Sequence, residues 1–352
     1  MAREKILLLT KDMSAYKGAS YQQDVINALS LQADVHKYGP GFAGFDNSDT
    51  IDAVLAKSPI RPDFILLSHS WLPDNEATPF LLPKCDFAEA NVPVVAILNK
   101  EYVNLEKKVN YLTAIKCRLV FSHHHRVRTI LPDKKFDAIF WPFGYDEKKI
   151  CARKVSRHID LAFSGILLNQ LSGAEQTSSR LDVMRELFFC WGDLPMKKKP
   201  GYQELNIFWN GMPRVNRRNA SLLGKRLQKL IFPKYGYRHL PERQYFDLLS
   251  KSKLLFNSLS PLGLIGPRFV EAMASGAVVI AERQPDYQEV FPEGLVVQFD
   301  SLGAGFGEIL LETLYDEDKR QEMSRRGRNL AYKHHQWQYR VDSLLDLVRK
   351  LQ

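Results

Sequence analysis

Residues 266–276 read GPRFVEAMASG and bring together residue types that can hold an anion and a diol. Gly266 lets backbone come close to a ligand, and Pro267 suits the first position of a helix, where no N–H is needed. The N–H groups that follow have no intrahelical acceptor and carry the positive end of the helix dipole, a seat for a phosphate or pyrophosphate. Arg268 can add a bidentate, charge-assisted contact to the same group. Glu271, at the opening turn, can accept hydrogen bonds from a vicinal diol such as a ribose. A plainer reading is open at this level: Glu271 complements the dipole, worth about 0.3–1 kcal/mol, and Arg268 is solvated.

The elements that must position this stretch alternate along the whole chain. EKILLLT, ADVHKYG, FILLSHS, VPVVAIL, RLVFSHH and AIFWPFG read as strands, with helical period in YQQDVINALSL and TIDAVLAKS between them. Continuous apolar strands alternating with helices imply a parallel sheet covered on both faces. The rhythm restarts after residue 155 with HIDLAFSGI, SRLDVMRELFFCW, LNIFWNG, PKYGYRHL, RQYFDLLSKS, KLLFNSL, PRFVEAMAS, AVVIAE and LVVQFD, and it ends in two helices. The fold class is therefore α/β, with two Rossmann-like halves and a seam near WPFGYDEKKICARKVSRH at 141–158. Ligands bind such sheets at the carboxyl ends of their strands, so a cleft between the halves is the expected site.

Bulk composition agrees. A chain of 352 residues exceeds what one core usually serves. No stretch approaches the ~18 apolar residues of a membrane span, and MAREKILLLT reads as a first strand, not a signal peptide. Cys85, Cys117, Cys151 and Cys190 lack metal-ligand spacing and read as reduced thiols in a cytosolic protein. The 49 basic against 40 acidic residues give +9, which favours anionic partners. The basic clusters at 126–128, 197–199 and 214–218 read first as solvated faces, and no nucleic-acid-binding pattern accompanies them.

Three further patterns invite chemistry and lose it in context. Gly39, Gly41 and Gly44 satisfy G-x-G-x-x-G, but Pro40 interrupts and the next helix starts late, capped by Ser48 or Asp49, so no dinucleotide site is expected. Asp316 and Asp318 form a D-x-D between two helices, where acidic residues serve as a cap and first turn. His123, His124 and His125 follow a strand; neighbours there point to opposite sides, so the three cannot share one metal.

The run RFVEAMASGAVVIAERQPDYQEVF resembles the nucleotide-sugar signature of GT-B glycosyltransferases, closest to the branch described as spore-coat or CgeB-like. In matching order, WPFGYD at 141–146 is similar to that family's exit from its first domain. IDLAFSGIL with SSRLDVMREL at 159–188 resembles its first C-terminal strand and the Arg-led helix after it, and RQYFDLLSKSKLLFNSLSP resembles the helix and strand ahead of the signature. The resemblance covers roughly residues 140–345.

That resemblance implies two Rossmann-like domains facing each other across a cleft: 1–146 on the acceptor side, 147–335 holding the nucleotide-sugar, and a C-terminal helix, 336–352, crossing back onto the first domain. It also implies donor-binding roles. Glu271 binds the ribose, Gly266, Pro267, Arg268 and Phe269 hold the diphosphate, and Ser164, Gly165 and Arg180 border it. The loop Tyr237, Arg238 and His239 meets the base, and Gly18 lies near the transferred sugar. Many retaining members carry a second glutamate where this chain has Gly263, so retention and inversion both stay open. For an inverting reaction His69 is the first candidate for a general base of near-neutral pKa, and Glu101 the second; Arg268 stabilises the leaving group.

The function expected is transfer of a sugar from a nucleotide-diphosphate donor to a hydroxyl of a glycan, lipid-linked or polymer acceptor. No cofactor or essential metal is expected, and localisation is cytoplasmic with peripheral membrane contact through the basic patches. A sugar-nucleotide epimerase of the same fold is the alternative enzyme. A degenerate, non-catalytic binder of an anionic glycan or nucleic acid is the alternative outside enzymes.

Overall fold

The structure is a computed structural model that describes residues 3–15, 20–72, 87, 90–131, 135–150, 155–166, 179–191, 194–212, 240–300 and 305–351. Gly18 and the loop Tyr237, Arg238 and His239 lie outside these residues. The chain divides into two compact units, 1–147 with 264–267 and 333–352, and 148–263 with 268–332.

In the first unit, strands β1 (Lys5–Leu9), β2 (Asp34–Tyr38), β3 (Phe64–Leu67), β4 (Val94–Ile97), β5 (Leu119–Ser122) and β6 (Asp137–Phe140) form one parallel sheet in the order β2-β1-β3-β4-β5-β6. Helices α1 (Ser20–Gln32), α2 (Ile51–Lys57), α3 (Leu105–Ala114) and α4 (Val127–Ile130) lie between the strands in the chain. The unbroken apolar runs have a direct cause, because alternate side chains of each strand enter different cores. Leu7, Leu9, Ile65, Leu67, Ala96 and Val120 pack with Val54 and Leu112. Ile6, Leu8, Phe64, Leu66, Val95 and Ile97 pack with Val25 and Leu29 of α1.

The helix α2 starts one or two residues later than the sequence suggests. Its cap is Thr50, whose Oγ1 accepts the N–H of Ala53 at 3.3 Å. Asp49 is spent elsewhere, on the Tyr38 hydroxyl and on Lys57 at 2.5 Å.

The second unit holds β7 (Ile159–Ile166), β8 (Phe188–Trp191), β9 (Leu194–Lys198), β10 (Ile207–Met212), β11 (Ser252–Phe256), β12 (Val278–Glu282) and β13 (Val296–Phe299). Its helices are α5 (Ser179–Leu187), α6 (Glu242–Lys251), α7 (Pro267–Ser275), α8 (Tyr287–Val290), α9 (Phe306–Tyr315) and α10 (Glu317–His334). The parallel sheet runs β10-β7-β11-β12-β13 around a core of Leu161, Phe163, Leu254, Phe256, Ile280, Phe299 and Phe306. The helix read in SSRLDVMREL ends at Leu187, and the aromatic run after it, Phe188–Trp191, pairs antiparallel with β9, as aromatic residues suit a pleated partner.

The last helix, α11 (Trp337–Arg349), packs on α1 and adds Trp337, Val341, Leu344, Leu345 and Val348 to the core of the first unit. Tyr145 and Trp337 tie the approach to it: Tyr145 N–H donates to His335 O at 2.8 Å, and Trp337 N–H to Tyr145 O at 3.1 Å. Gly144 leaves no room here. A Cβ on it would stand 2.8 Å from Trp337 Cδ2 and 2.9 Å from His335 O. Gly144→Ala is therefore expected to destabilise the protein by about 1–3 kcal/mol, the usual range for overpacking, read as a lowered urea midpoint. An unchanged midpoint would show that the return of α11 is not held at this contact.

Candidate functional site

The order β10-β7-β11-β12 places a topological switch point between β7 and β11, because the connection that follows β7 runs towards β10 and the one that follows β11 runs towards β12. Crevices that take ligands open at the carboxyl ends of strands at such a point. Ser164 and Gly165 lie in the carboxyl-end half of β7, Asn210 is paired with Ser164 on β10, and Asn257 and Ser258 follow β11. Asn210 Nδ2 donates to Ser164 Oγ at 3.1 Å. Arg180, near the start of α5, donates from Nε to Ser258 Oγ at 2.6 Å, so the arginine is drawn to the end of β11. Arg268 comes to the same place: a Cβ on residue 165 would lie 2.5 Å from Arg268 Nη1. Gly165 thus makes room for a guanidinium, and the structure brings together Ser164, Gly165, Arg180 and Arg268 in one unit.

Helix α7 supplies the rest. It begins at Pro267, as its proline predicts, and its first turn holds no acidic residue. Glu271 is the fifth residue, one turn in, which corrects its placement at the helix mouth. A dipole effect fades within the first turn, so complementing the helix is not what Glu271 is for. Gly266, Pro267 and Arg268 are half-buried and Phe269 is fully buried, its ring packed against Tyr287 and Phe291. Phe269 anchors the helix and has no surface left for a ligand.

Glu271 has a partner that the sequence does not announce. The Tyr245 hydroxyl of α6 donates to Glu271 Oε2 at 2.8 Å, across 26 positions of sequence. Burial pushes the Glu271 carboxyl up from its usual value. The Tyr245 hydrogen bond and the charges of Arg268 and Lys149 oppose that rise, and Glu242 adds to it. The Tyr245 phenol is itself pushed well up, first by burial and then by the Glu271 charge. Lys149 and Glu242 pair with each other at 2.5 Å.

Gly263 sits in a left-handed turn, with φ +80°, beside Leu262 at φ +62°. A side chain at 263 would be strained there, and Asp286 Oδ2 stands 3.5 Å from where its Cβ would be. The loop is built for glycine.

The carboxyl ends of the first sheet form a second polar cluster. Thr10, Ser68 and Ser70 share hydroxyl hydrogen bonds of 2.8–3.0 Å, all buried. His69 is 1% exposed and its Nε2 lies 2.6 Å from His123 Nε2, with the rings stacked at 4.9 Å. His123 Nδ1 is 2.7 Å from the carbonyl of Trp141, which can only accept, so Nδ1 carries the proton. Neutral His123 then accepts at Nε2, His69 donates from Nε2, and the lone pair of His69 is on Nδ1. Burial and the neighbouring His123 hold His69 well below the usual 6.5, and burial brings His123 to about 3. The near-neutral base expected at His69 is therefore corrected: desolvation keeps this ring uncharged.

Glu101 is equally buried, and its Oε1 accepts from Ser122 Oγ at 2.8 Å and His123 N–H at 2.9 Å. That oxygen holds the turn after β5, while Oε2 is buried without a hydrogen-bond partner among the described residues. His124 and His125 stack on each other, and His69 stacks on His123. Asp316 caps α10 through Lys319 N–H at 3.0 Å. Among the described residues no group of three or more His, Cys, Asp or Glu could hold a metal ion, and no helix is long and apolar enough to cross a membrane.

The comparisons with known proteins fall into line with this geometry. A family model described as Glycosyl transferase-like matches residues 206–346. The chain is similar in structure to HepE of Anabaena, solved in complex with UDP-glucose, with 12% identity, TM-score 0.62, and 98% of this chain and 99% of that one covered. It is similar to sucrose-phosphate synthase of Thermosynechococcus elongatus, with 12% identity, TM-score 0.62, and 99% of both chains covered. A glycosyltransferase of Rickettsia africae gives 11% identity, TM-score 0.62, and 99% of both chains covered. A search of curated proteins finds no match. The chain has the GT-B fold of two Rossmann-like parallel sheets. Its second half carries a glycosyl transferase-like region, and Arg268, Glu271 and Tyr245 all fall inside it.

The buried histidines give the protein a defined response to acid. His69, His123 and His335 have folded pKa values below their unfolded ones, the last brought to about 3 chiefly by burial. Below pH 6.5 the unfolded chain then binds more protons, so the stability present above 6.5 is lost as pH falls. Each such histidine contributes up to about 1.4 kcal/mol per pH unit in that range. Unfolding free energy is expected to drop between pH 7 and 5, while imidazole ¹⁵N shifts keep His69 and His123 neutral in the folded protein at pH 5. A native His69 that titrates near 6.5 would contradict the buried pair.

Proposed function

We propose that the protein is a glycosyltransferase that takes its sugar from a nucleotide-diphosphate donor bound by the second unit. The observation that carries this reading is the meeting of Gly165 and Arg268 at the switch point of the β7–β11 sheet, on the helix that also carries Glu271. Backbone N–H groups of the first turn of α7 and the Arg268 guanidinium receive the diphosphate, with Ser164, Gly165 and Arg180 along its border. Glu271 accepts the ribose hydroxyls. Leaving-group charge develops on the diphosphate as the glycosidic bond breaks, and N–H and guanidinium donors already in place stabilise it. This chemistry asks for no essential metal, and turnover that persists in EDTA supports that part of the reading.

HepE, a structural relative, binds UDP-glucose, which favours a nucleotide-sugar partner here. The acceptor belongs to the first unit, whose sheet ends in the Thr10, Ser68, His69 and Glu101 cluster. Of the two base candidates, Glu101 keeps one carboxylate oxygen uncommitted, whereas the His69 ring is held neutral by its surroundings. A glycan or lipid-linked hydroxyl fits this role. Peripheral contact with an anionic membrane fits the excess of basic residues.

A panel of sugar nucleotides tests the reading. One donor is expected to raise the melting temperature and to release its nucleoside diphosphate slowly in the absence of acceptor. Glu271→Ala is expected to weaken that donor by about 10- to 100-fold, the loss of one or two hydrogen bonds to a charged group, with the fold intact. Conversion of the donor sugar without nucleotide release would indicate an epimerase. Salt-sensitive polyanion binding with no response to any donor would indicate a non-catalytic binder.

A further inference from the structure

Glu271 is a carboxylate whose own environment works against its charge. Burial favours the neutral acid, and Glu242 pushes in the same direction. A neutral acid is a poorer acceptor for two hydroxyls than a carboxylate, so a diol site needs something to hold the charge. The charged and titratable groups around it are few. Arg268 comes from its own helix, Tyr245 and Glu242 from α6, and Lys149 from the short 3₁₀ turn Glu147–Lys149, where it is already paired with Glu242. Tyr245 alone makes a hydrogen bond to the carboxylate among the described residues, at 2.8 Å to Oε2, and Arg268 lies beside the same hydroxyl.

Both partners sit on rigid elements. The Tyr245 ring packs edge-on against Phe246, which lies on the buried face of α6 with Leu248 and Leu249. Glu271 stands between the buried Val270 and Ala272 of α7. A bond between two fixed helices restricts the carboxylate's rotation and leaves Oε1 as the oxygen open to a ligand. A bond that only tied α6 to α7 would, when removed, cost stability alone.

We propose that Tyr245 is the positioning residue for Glu271: its hydroxyl, donated to Oε2, orients the carboxylate so that Oε1 meets the hydroxyl pair of a nucleotide ribose. This rests on the reading of α7 as the nucleotide site. It makes the grip on the ribose depend on a residue that touches no ligand.

The test is a cycle of two proteins and two ligands. UDP, ADP and GDP are titrated calorimetrically into the full-length wild-type protein, and the best binder is compared with its 2′,3′-dideoxy analogue. Wild type is expected to prefer the ribose form. Tyr245→Phe is expected to lose roughly tenfold in affinity for the ribose form and nothing for the dideoxy form. With the phenol gone, the opposing hydrogen bond is gone too, so binding of the ribose form should fail at a higher pH as the solution is acidified. Glu271→Gln, which keeps an acceptor for Tyr245 but has no charge, should show no such acid limb.

Equal losses for both ligands, or an acid limb that does not move in Tyr245→Phe, overturn the positioning role. If Tyr245→Phe fails to fold, the Glu271→Gln acid limb decides: persistence of the wild-type limb in that variant overturns the proposal. A wild type that binds none of the three nucleotides, or does not distinguish ribose from dideoxyribose while Glu271→Ala binds as before, overturns the assignment of the site itself.

Discussion

The arrangement of the second sheet depends on β7 and β11 lying side by side, with the connection after β7 running towards β10 and the one after β11 towards β12. Two connections that diverge from adjacent strands leave a crevice at the carboxyl ends of those strands. The polar groups of the proposed donor site stand at that crevice or on the helix beside it. Arg180 is drawn in through Ser258 at the end of β11, Asn210 steadies Ser164, and Gly165 gives up a side chain so that Arg268 can lie over the strand. If residue 165 carried a Cβ, the Arg268 guanidinium would have to shift from where it now lies.

The first unit uses the same topology with different chemistry. Its switch point, between β1 and β3, is lined by hydroxyls and by a histidine pair whose protons are fixed by the Trp141 carbonyl. The rings are uncharged and buried against Phe143 and Trp141, so the histidine pair orders the strand ends. The return of α11 onto α1 closes the apolar core below it, through Trp337 and Val341. One unit therefore groups guanidiniums, backbone N–H groups and the Glu271 carboxylate at its strand ends, and the other groups hydroxyls, uncharged imidazoles and the Glu101 carboxylate.

Much of this was legible in the sequence because it follows from periodicity. Strands that are apolar on both faces, such as ILLL and VVAI, announce a doubly covered parallel sheet, and Pro267 announces where α7 begins. The decoys were legible for the same reason, since Asp316 sits where a cap must sit. What the sequence could not reveal lies in long-range pairing. Tyr245 is an ordinary aromatic in an amphipathic helix until the sheet brings α6 beside α7. His69 reads as a polar residue at a strand end, and only the packing of β3 near β5 puts a second imidazole against it and removes its charge. Gly263 reads as the loss of an acidic residue, whereas the left-handed backbone shows a turn that a side chain would strain.

The central claim is that α7 and the end of β7 together hold a nucleoside diphosphate. A crystal structure with bound UDP addresses it directly. The account predicts the diphosphate at the N-terminal turn of α7 within hydrogen-bond reach of Arg268, over Gly165, with the ribose hydroxyls on Glu271. A nucleotide bound elsewhere, with Glu271 and Arg268 both untouched, would contradict it.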